Sequence, residues 1–248
     1  PLGYQVKLGN SIMAVFVTYL INYTIPRAGE VARASILTNY EGVPFEKGFG
    51  TIVAERIADM IVMIGIILVT LFLQFDFIYQ FLTGRFNPSL IILGLVILII
   101  AFLIFTQYIK KSKSPFAIRI KTFVYGLIEG ALSIFKMKRK WAFIFHTLFI
   151  WGMYLLMFYF TTFSVEELDG IPISAILIGF ISASFSIAAT NGGIGSYPVA
   201  VFAAFSIFGI AKEPSIAFGW IMWTSQTIMI IVLGGISLLY LPVFNRKK

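Results

Sequence analysis

The stretch NYTIPRAGEVARASIL, residues 22–37, decides how the chain is read. An apolar run over residues 8–25 stops at Pro26, and a second short helix is predicted to start near Ala28. Proline is tolerated at a helix start because the N–H it lacks would have no partner there. Arg27, Glu30 and Arg33 follow three residues apart, a spacing that puts them on one helix face. Ionisable groups among apolar runs are costly, usually pair, and mark function by default.

The surroundings of that stretch are those of a polytopic membrane protein. Hydrophobic residues make up 59% of the 248 positions and charged residues 12%, with a mean hydropathy of +0.93. A soluble domain carries about a quarter charged residues, so a soluble core is excluded. Cysteine is absent, which removes disulfides, thiolate metal sites and cysteine nucleophiles, and a single histidine, His146, removes a histidine-rich metal site. No metal and no cofactor is expected, and a phosphate-cradling P-loop is missing, which argues against an ATP-driven pump. The net charge of +8 falls in loops beside apolar runs, so lipid headgroups explain it and nucleic acid does not. The opening Pro1-Leu2-Gly3 lacks an initiator Met and a basic n-region, so no signal peptide is expected. It reads as the inside of a longer protein with further spans upstream.

Runs at 51–75, 88–109, 141–163 and 215–243 are long enough to span a bilayer, which takes about 20 residues. Runs at 8–25, 172–190 and 196–211 are short. Residues 110–140 carry nine Lys or Arg against one acid, Glu129, and the chain closes with Arg246, Lys247 and Lys248. Residues 164–171 carry Glu166, Glu167 and Asp169 and no base. The positive-inside rule then places 110–140 and the C-terminus in the cytoplasm and 164–171 outside. Within the basic segment, residues 116–135 form an amphipathic helix: Phe116, Ile120, Phe123, Val124, Leu127, Ile128, Ala131 and Phe135 share one stripe. This helix is expected on the cytoplasmic leaflet, with anionic headgroups as partners of the 110–140 lysines.

A second break matches the first. Residues 172–190 run into TNGGIGSYP, where Gly192, Gly193 and Gly195 permit a tight turn and leave bare N–H groups at the start of the next helix. By the loop charges, the first hairpin enters from the cytoplasm and the second from outside. The expected fold is therefore an all-α inverted-repeat bundle with two broken or re-entrant helical hairpins, forming one transmembrane domain over residues 1–248. Two full, short spans at 172–190 and 196–211 give the same loop topology. The long helix after the first hairpin opens with Glu55, Arg56 and Asp59; its two acids lie one turn apart and repel unless bases join them. Arg27 and Arg33 are expected to do so, giving three arginines against three carboxylates. The plain alternative is ordinary ion pairing at the interface. Lesser expectations are His146 as a hydrogen-bonded core residue, Gly234-Gly235 as a close packing patch where Gly234→Ala is mild, and Trp141 in an interface belt.

These residues resemble a known family. NYTIPRAGEVARA, AERIADM and NGGIGSYP are similar to the membrane, flippase-like domain of lysylphosphatidylglycerol synthases and its stand-alone relatives. The order Asn22, Pro26, Arg27, Gly29, Glu30, Arg33, followed by Glu55, Arg56 and Asp59, carries the likeness. The family's glycine motif commonly reads Pro-Gly-Gly-Ile-Gly with a Glu three residues on; here Asn191 replaces that Pro and Pro198 holds the Glu position. The resemblance implies lipid translocation in a bacterial cytoplasmic membrane and carries no lysyl transfer, so no enzyme activity is expected. The expected cargo is an anionic phospholipid or a polyprenyl-phosphate-linked lipid. Arg27, Arg33 and Arg56 are the expected phosphate contacts, because a guanidinium fork donates two parallel hydrogen bonds. Glu30, Glu55 and Asp59 would orient them, Gly192, Gly193 and Gly195 would add backbone donors, and Asn22 joins the binding set. The rivals are an intramembrane lipid-modifying enzyme, with Glu55 or Asp59 as general base, and a non-transporting scaffold. Association into a homo-oligomer is left open.

Overall fold

The structure is a computed structural model that describes residues 4–85, 87–137 and 139–246. Among the described residues it is helical throughout: α1 (Leu8–Thr24), α2 (Ala28–Glu41), α3 (Phe45–Leu73), α4 (Phe75–Arg85), α5 (Pro88–Lys111), α6 (Pro115–Lys136), α7 (Lys140–Thr162), α8 (Ile173–Ala189), α9 (Ser196–Ser206) and α10 (Lys212–Phe244). Four of these, α3, α5, α7 and α10, are long and apolar enough to cross a membrane. The chain divides into two compact units, residues 64–136 and the remainder.

The larger unit is organised on α10. Helices α1 and α2 form an antiparallel hairpin, since Asn10 near the start of α1 donates to Glu41 at the end of α2. At the other end of the hairpin the Asn22 side-chain oxygen accepts the Gly29 N–H at 2.8 Å. Gly29 is required there: a Cβ would run into the Thr18 carbonyl oxygen. The hairpin of α8 and α9 closes likewise, with Ser182 donating to the Ala200 carbonyl at 2.9 Å and Ser186 meeting Ser196 at 2.8 Å.

The two hairpins run along α10 from opposite ends. Asn245, beyond the end of α10, donates to Asn10 at 2.7 Å, and Tyr23 reaches Thr227 at 3.2 Å, so α1 lies antiparallel to the C-terminal half. Pro198 of α9 packs on Gly219, and Trp223 donates to the Gly192 carbonyl at 2.8 Å, so α9 covers the N-terminal half. The turns of both hairpins meet α10 between Trp223 and Thr227. Burial concentrates where the helices converge. Phe158, Phe205 and Phe218 are almost fully buried, with the Phe158 and Phe218 centroids 4.8 Å apart, tying α7, α9 and α10 together. Met13, Val17 and Leu241 make a smaller apolar cluster between α1 and α10.

In the smaller unit, α5 opens with Pro88 in its first turn and Asn87 as its cap, whose side chain accepts the Ser89 N–H at 3.0 Å. It ends at Ser112, and Lys121 of α6 donates to the Lys110 and Ser112 carbonyls at 3.0 and 3.1 Å, a cation at the negative end of a helix. The helix expected over 116–135 is α6, one residue longer at each end. Of its expected stripe, Phe116 and Val124 are exposed and Ile120 is half-buried. The side chains of Phe123, Leu127, Ile128, Ala131 and Phe135 lie outside those described.

Several expectations need correcting. The run 196–211 is helical only to Ser206, because Gly209 adopts φ +73° and Ile210 N–H returns to the Phe205 carbonyl. Helix α4 was not marked by any apolar run, being short and carrying Asp76 and Gln80. His146 is exposed on α7 with its ring edge-on to Phe145 at 5.6 Å, and it makes no hydrogen bond among the described residues. It sits on an exposed side of the helix, away from the packed core. Gly234 does mark close packing, but a Cβ on it would lie 2.7 Å from Leu20 Cβ, so alanine is not mild; Gly235 faces open space.

Candidate functional site

The site begins at the turn between α1 and α2. Arg27 is the N-cap of α2 with φ 64°, the one non-glycine residue in the left-handed region among those described. Such a backbone is uncommon for a residue with a Cβ. It also explains a failed expectation: spacing by three puts side chains on one face only inside a helix, and Arg27 lies before it. Arg27 is exposed and forms no ion pair among the described residues.

Arg33 behaves as expected. Its guanidinium grips Glu55 through one nitrogen, Nη1, at 3.2 and 3.0 Å to the two carboxylate oxygens. Arg56 donates to the same carboxylate at 3.0 Å and lies 3.4 Å from Asp59 Oδ2. The other Asp59 oxygen accepts the indole N–H of Trp151, on α7, at 3.0 Å. Four charges therefore form one balanced chain, Arg33–Glu55–Arg56–Asp59, closed by an indole. The expected group of three arginines and three carboxylates shrinks to two of each. Glu30 stands apart, with one carboxylate oxygen buried and unpartnered among the described residues. Asn22 is spent on holding the α2 start through Gly29.

Sequence reasoning missed Trp151. A tryptophan in the middle of an apolar span reads as packing, and its partner lies 92 residues away. An aspartate in a span that needs a donor was the available signal. Tyr154, one turn on, brings its hydroxyl within 3.5 Å of that of Tyr19, which adds a second polar contact between α7 and α1.

The second turn meets the first. Asn191 donates its side-chain amide to the Tyr23 carbonyl at 2.9 Å. Gly192, Gly193 and Gly195 all have positive φ, between 66° and 75°. A Cβ on Gly192 would lie 3.2 Å from the Tyr23 ring, and one on Gly193 would lie 3.2 Å from Ile187 and 3.3 Å from Tyr197. Ser186, Thr190 and Ser196 gather their hydroxyls beside this turn at 2.8 to 2.9 Å. The two turns meet by direct contact.

Residues 1–235 match the family described as the lysylphosphatidylglycerol synthase TM region. A UPF0104 membrane protein of Methanocaldococcus jannaschii is 26% identical over 276 residues, which takes in 100% of this chain and 79% of that protein. The glycosyltransferase AglD of Haloferax volcanii is 32% identical over 66 residues, 26% of this chain and 11% of that protein. No solved structure matches the chain. With so much of its length matched, the chain belongs to the lysylphosphatidylglycerol synthase transmembrane family.

Proposed function

We propose that the chain is a flippase-like secondary transporter that moves an anionic phospholipid or a polyprenyl-phosphate-linked lipid across the cytoplasmic membrane. The observation that carries this reading is the meeting of two helical hairpins, arriving from opposite ends of α10, at the Asn191–Tyr23 contact. Inverted-repeat transporters place their substrate site where such breaks face each other near the bilayer midplane. Helix lengths support re-entrance. At 17 and 11 residues, α1 and α9 are about 26 and about 17 Å long, against a hydrocarbon core of about 30 Å. Trp223 and Thr227, where the turns converge, lie well inside the 33-residue α10. Loop charge favours Arg246 inside and Glu166, Glu167 and Asp169 outside, an orientation in which the two hairpins enter from opposite faces.

The charged chain supports a phosphate-bearing cargo. Arg33 and Arg56 lie in one charged chain with Glu55 and Asp59, and an arginine released from a carboxylate there can grip a phosphate with its planar fork. The test is reconstitution in liposomes with fluorescent lipids of anionic and zwitterionic headgroup, read by quenching of the outer leaflet. Faster translocation of anionic lipid than in protein-free vesicles is expected. Equal rates in both vesicle types would sink the transport reading. Appearance of a chemically altered lipid, seen by mass spectrometry of the same vesicles, would favour an intramembrane enzyme instead.

A further inference from the structure

We infer that Arg56 is the arginine that moves from protein carboxylates to the lipid phosphate, while Arg33 and Trp151 are positioning residues that keep the carboxylates partnered when it leaves. This assignment rests on the transport reading above.

The geometry distinguishes the two arginines. Glu55 is shared by Arg33 and Arg56, and Asp59 is shared by Arg56 and Trp151. If Arg56 withdraws, Glu55 retains the Arg33 guanidinium on both oxygens, and Asp59 retains the indole N–H on Oδ1. Neither acid is left alone in a poorly solvated place, where an unpaired charge is expensive. Arg56 is thus the member whose departure the network already compensates. It is also the accessible member, its side chain 51% exposed against 23% for Arg33. Arg56 engages Glu55 through Nη2 and Asp59 through Nη1, one nitrogen to each acid, so rotation of the fork releases both and presents a planar pair of donors.

The exchange is ionic and forms no covalent bond: two carboxylate contacts are traded for a two-pronged phosphate contact. Asp59 competes with the ligand for Arg56, and Trp151 weakens that competition by occupying the other Asp59 oxygen. A purely structural network predicts that any member's removal harms binding. A competitive one predicts that removing the Asp59 charge helps it.

The experiment is titration of the full purified chain with dihexanoyl phosphatidylglycerol and, separately, inorganic phosphate, followed by calorimetry. Arg56→Lys is expected to weaken binding of the lipid probe roughly tenfold or more, since lysine cannot present the fork. Asp59→Asn is expected to tighten it severalfold. Trp151→Phe should weaken it, and adding Asp59→Asn to Trp151→Phe should restore it. Wild-type affinity in Arg56→Lys, or a loss in Asp59→Asn as large as in Arg56→Lys, would overturn the assignment while leaving transport standing. No probe binding by the wild-type chain, with no lipid movement in vesicles, would sink both readings. Equal affinity for inorganic phosphate and the lipid would keep the arginine exchange and overturn the lipid as the source of its phosphate.

Discussion

The side-chain amide of Asn191 donates to the main-chain carbonyl of Tyr23 at 2.9 Å, joining two turns 168 residues apart. At turns an asparagine side chain usually accepts a backbone N–H of its own turn. Here the amide crosses from one hairpin to the other, at the position where the family commonly has a proline, which has no donor to give. The contact is a single neutral hydrogen bond at the exposed edge of the two turns.

Asn191→Ala removes the donor and leaves the Tyr23 carbonyl at an exposed turn. A loss of about 1 kcal/mol is expected, the ordinary net worth of one hydrogen bond. Thermal unfolding in detergent would read it. A drop as large as that from deleting a buried aromatic would mean the two turns are a fixed core.

The glycine turn makes a graded prediction. Gly193 has φ 75° and neighbours at 3.2 and 3.3 Å, whereas Gly195 has φ 69° and open space. Valine at Gly195 meets backbone strain alone, on the order of 1–3 kcal/mol. Valine at Gly193 meets strain and crowding together. Both variants are expected to stop lipid movement, with Gly193→Val the less stable of the two by melting temperature. Equal melting temperatures would show that the turn relaxes and the crowding is without cost.

Much of this was legible in the sequence, and the limits are physical. Spans and breaks follow from hydropathy and from Pro or Gly, which act locally, so α2 does begin at Ala28 and α8 does end just before the glycine turn. Arg56 and Asp59 pair by helical spacing, and the charge balance of the two motifs points to Arg33 as the base that joins Glu55. Arg27 escaped that logic because a single left-handed residue breaks the helical arithmetic. Trp151, and the use of Asn22 to hold Gly29, depend on how distant or reversed segments dock, which no local pattern encodes. The exposure of His146 depends on which side of α7 faces α8 and α10, and an almost uniformly apolar helix does not reveal its sides.

Gly234 separates close approach from helix flexibility. Its absent Cβ would stand 2.7 Å from Leu20 Cβ and 3.0 Å from the Phe16 carbonyl oxygen. Gly234→Ala must push α1 off α10 and is expected to cost about 1–3 kcal/mol, the usual range for overpacking. Gly235 meets nothing within 4 Å, so Gly235→Ala is expected to be neutral or stabilising through helix propensity. Melting temperatures measured in parallel decide the point, and a stable Gly234→Ala protein would contradict the packing.

Glu30 and Glu55 are both acids of the charged motifs, yet they should respond oppositely to amidation. One Glu30 oxygen is buried without a partner among the described residues, so Glu30→Gln exchanges a carboxylate with an unmet acceptor for a neutral amide. Stability is expected to hold or rise. Glu55 accepts from two arginines while about a third exposed, so Glu55→Gln is expected to cost about 1–2 kcal/mol after allowing for solvent screening. Matching losses in both variants would mean that Glu30 has a partner during folding.

The opposed senses of the hairpins rest on which membrane face each end of α10 meets. Glu167 belongs to the acidic turn between α7 and α8, and Arg246 lies just past the end of α10. Both are exposed, and the chain has no cysteine of its own, so a single cysteine at either position is read without background. A cell-impermeant maleimide is expected to label Glu167→Cys in intact cells and Arg246→Cys only after permeabilisation, because loops rich in Lys and Arg stay inside and loops without them translocate. The 33 residues of α10 span about 50 Å, more than the hydrocarbon thickness, so the two ends reach opposite faces when the helix crosses. Labelling of both positions from one side would place α10 within a leaflet. The hairpins would then approach from a single face, and the inverted arrangement would fall.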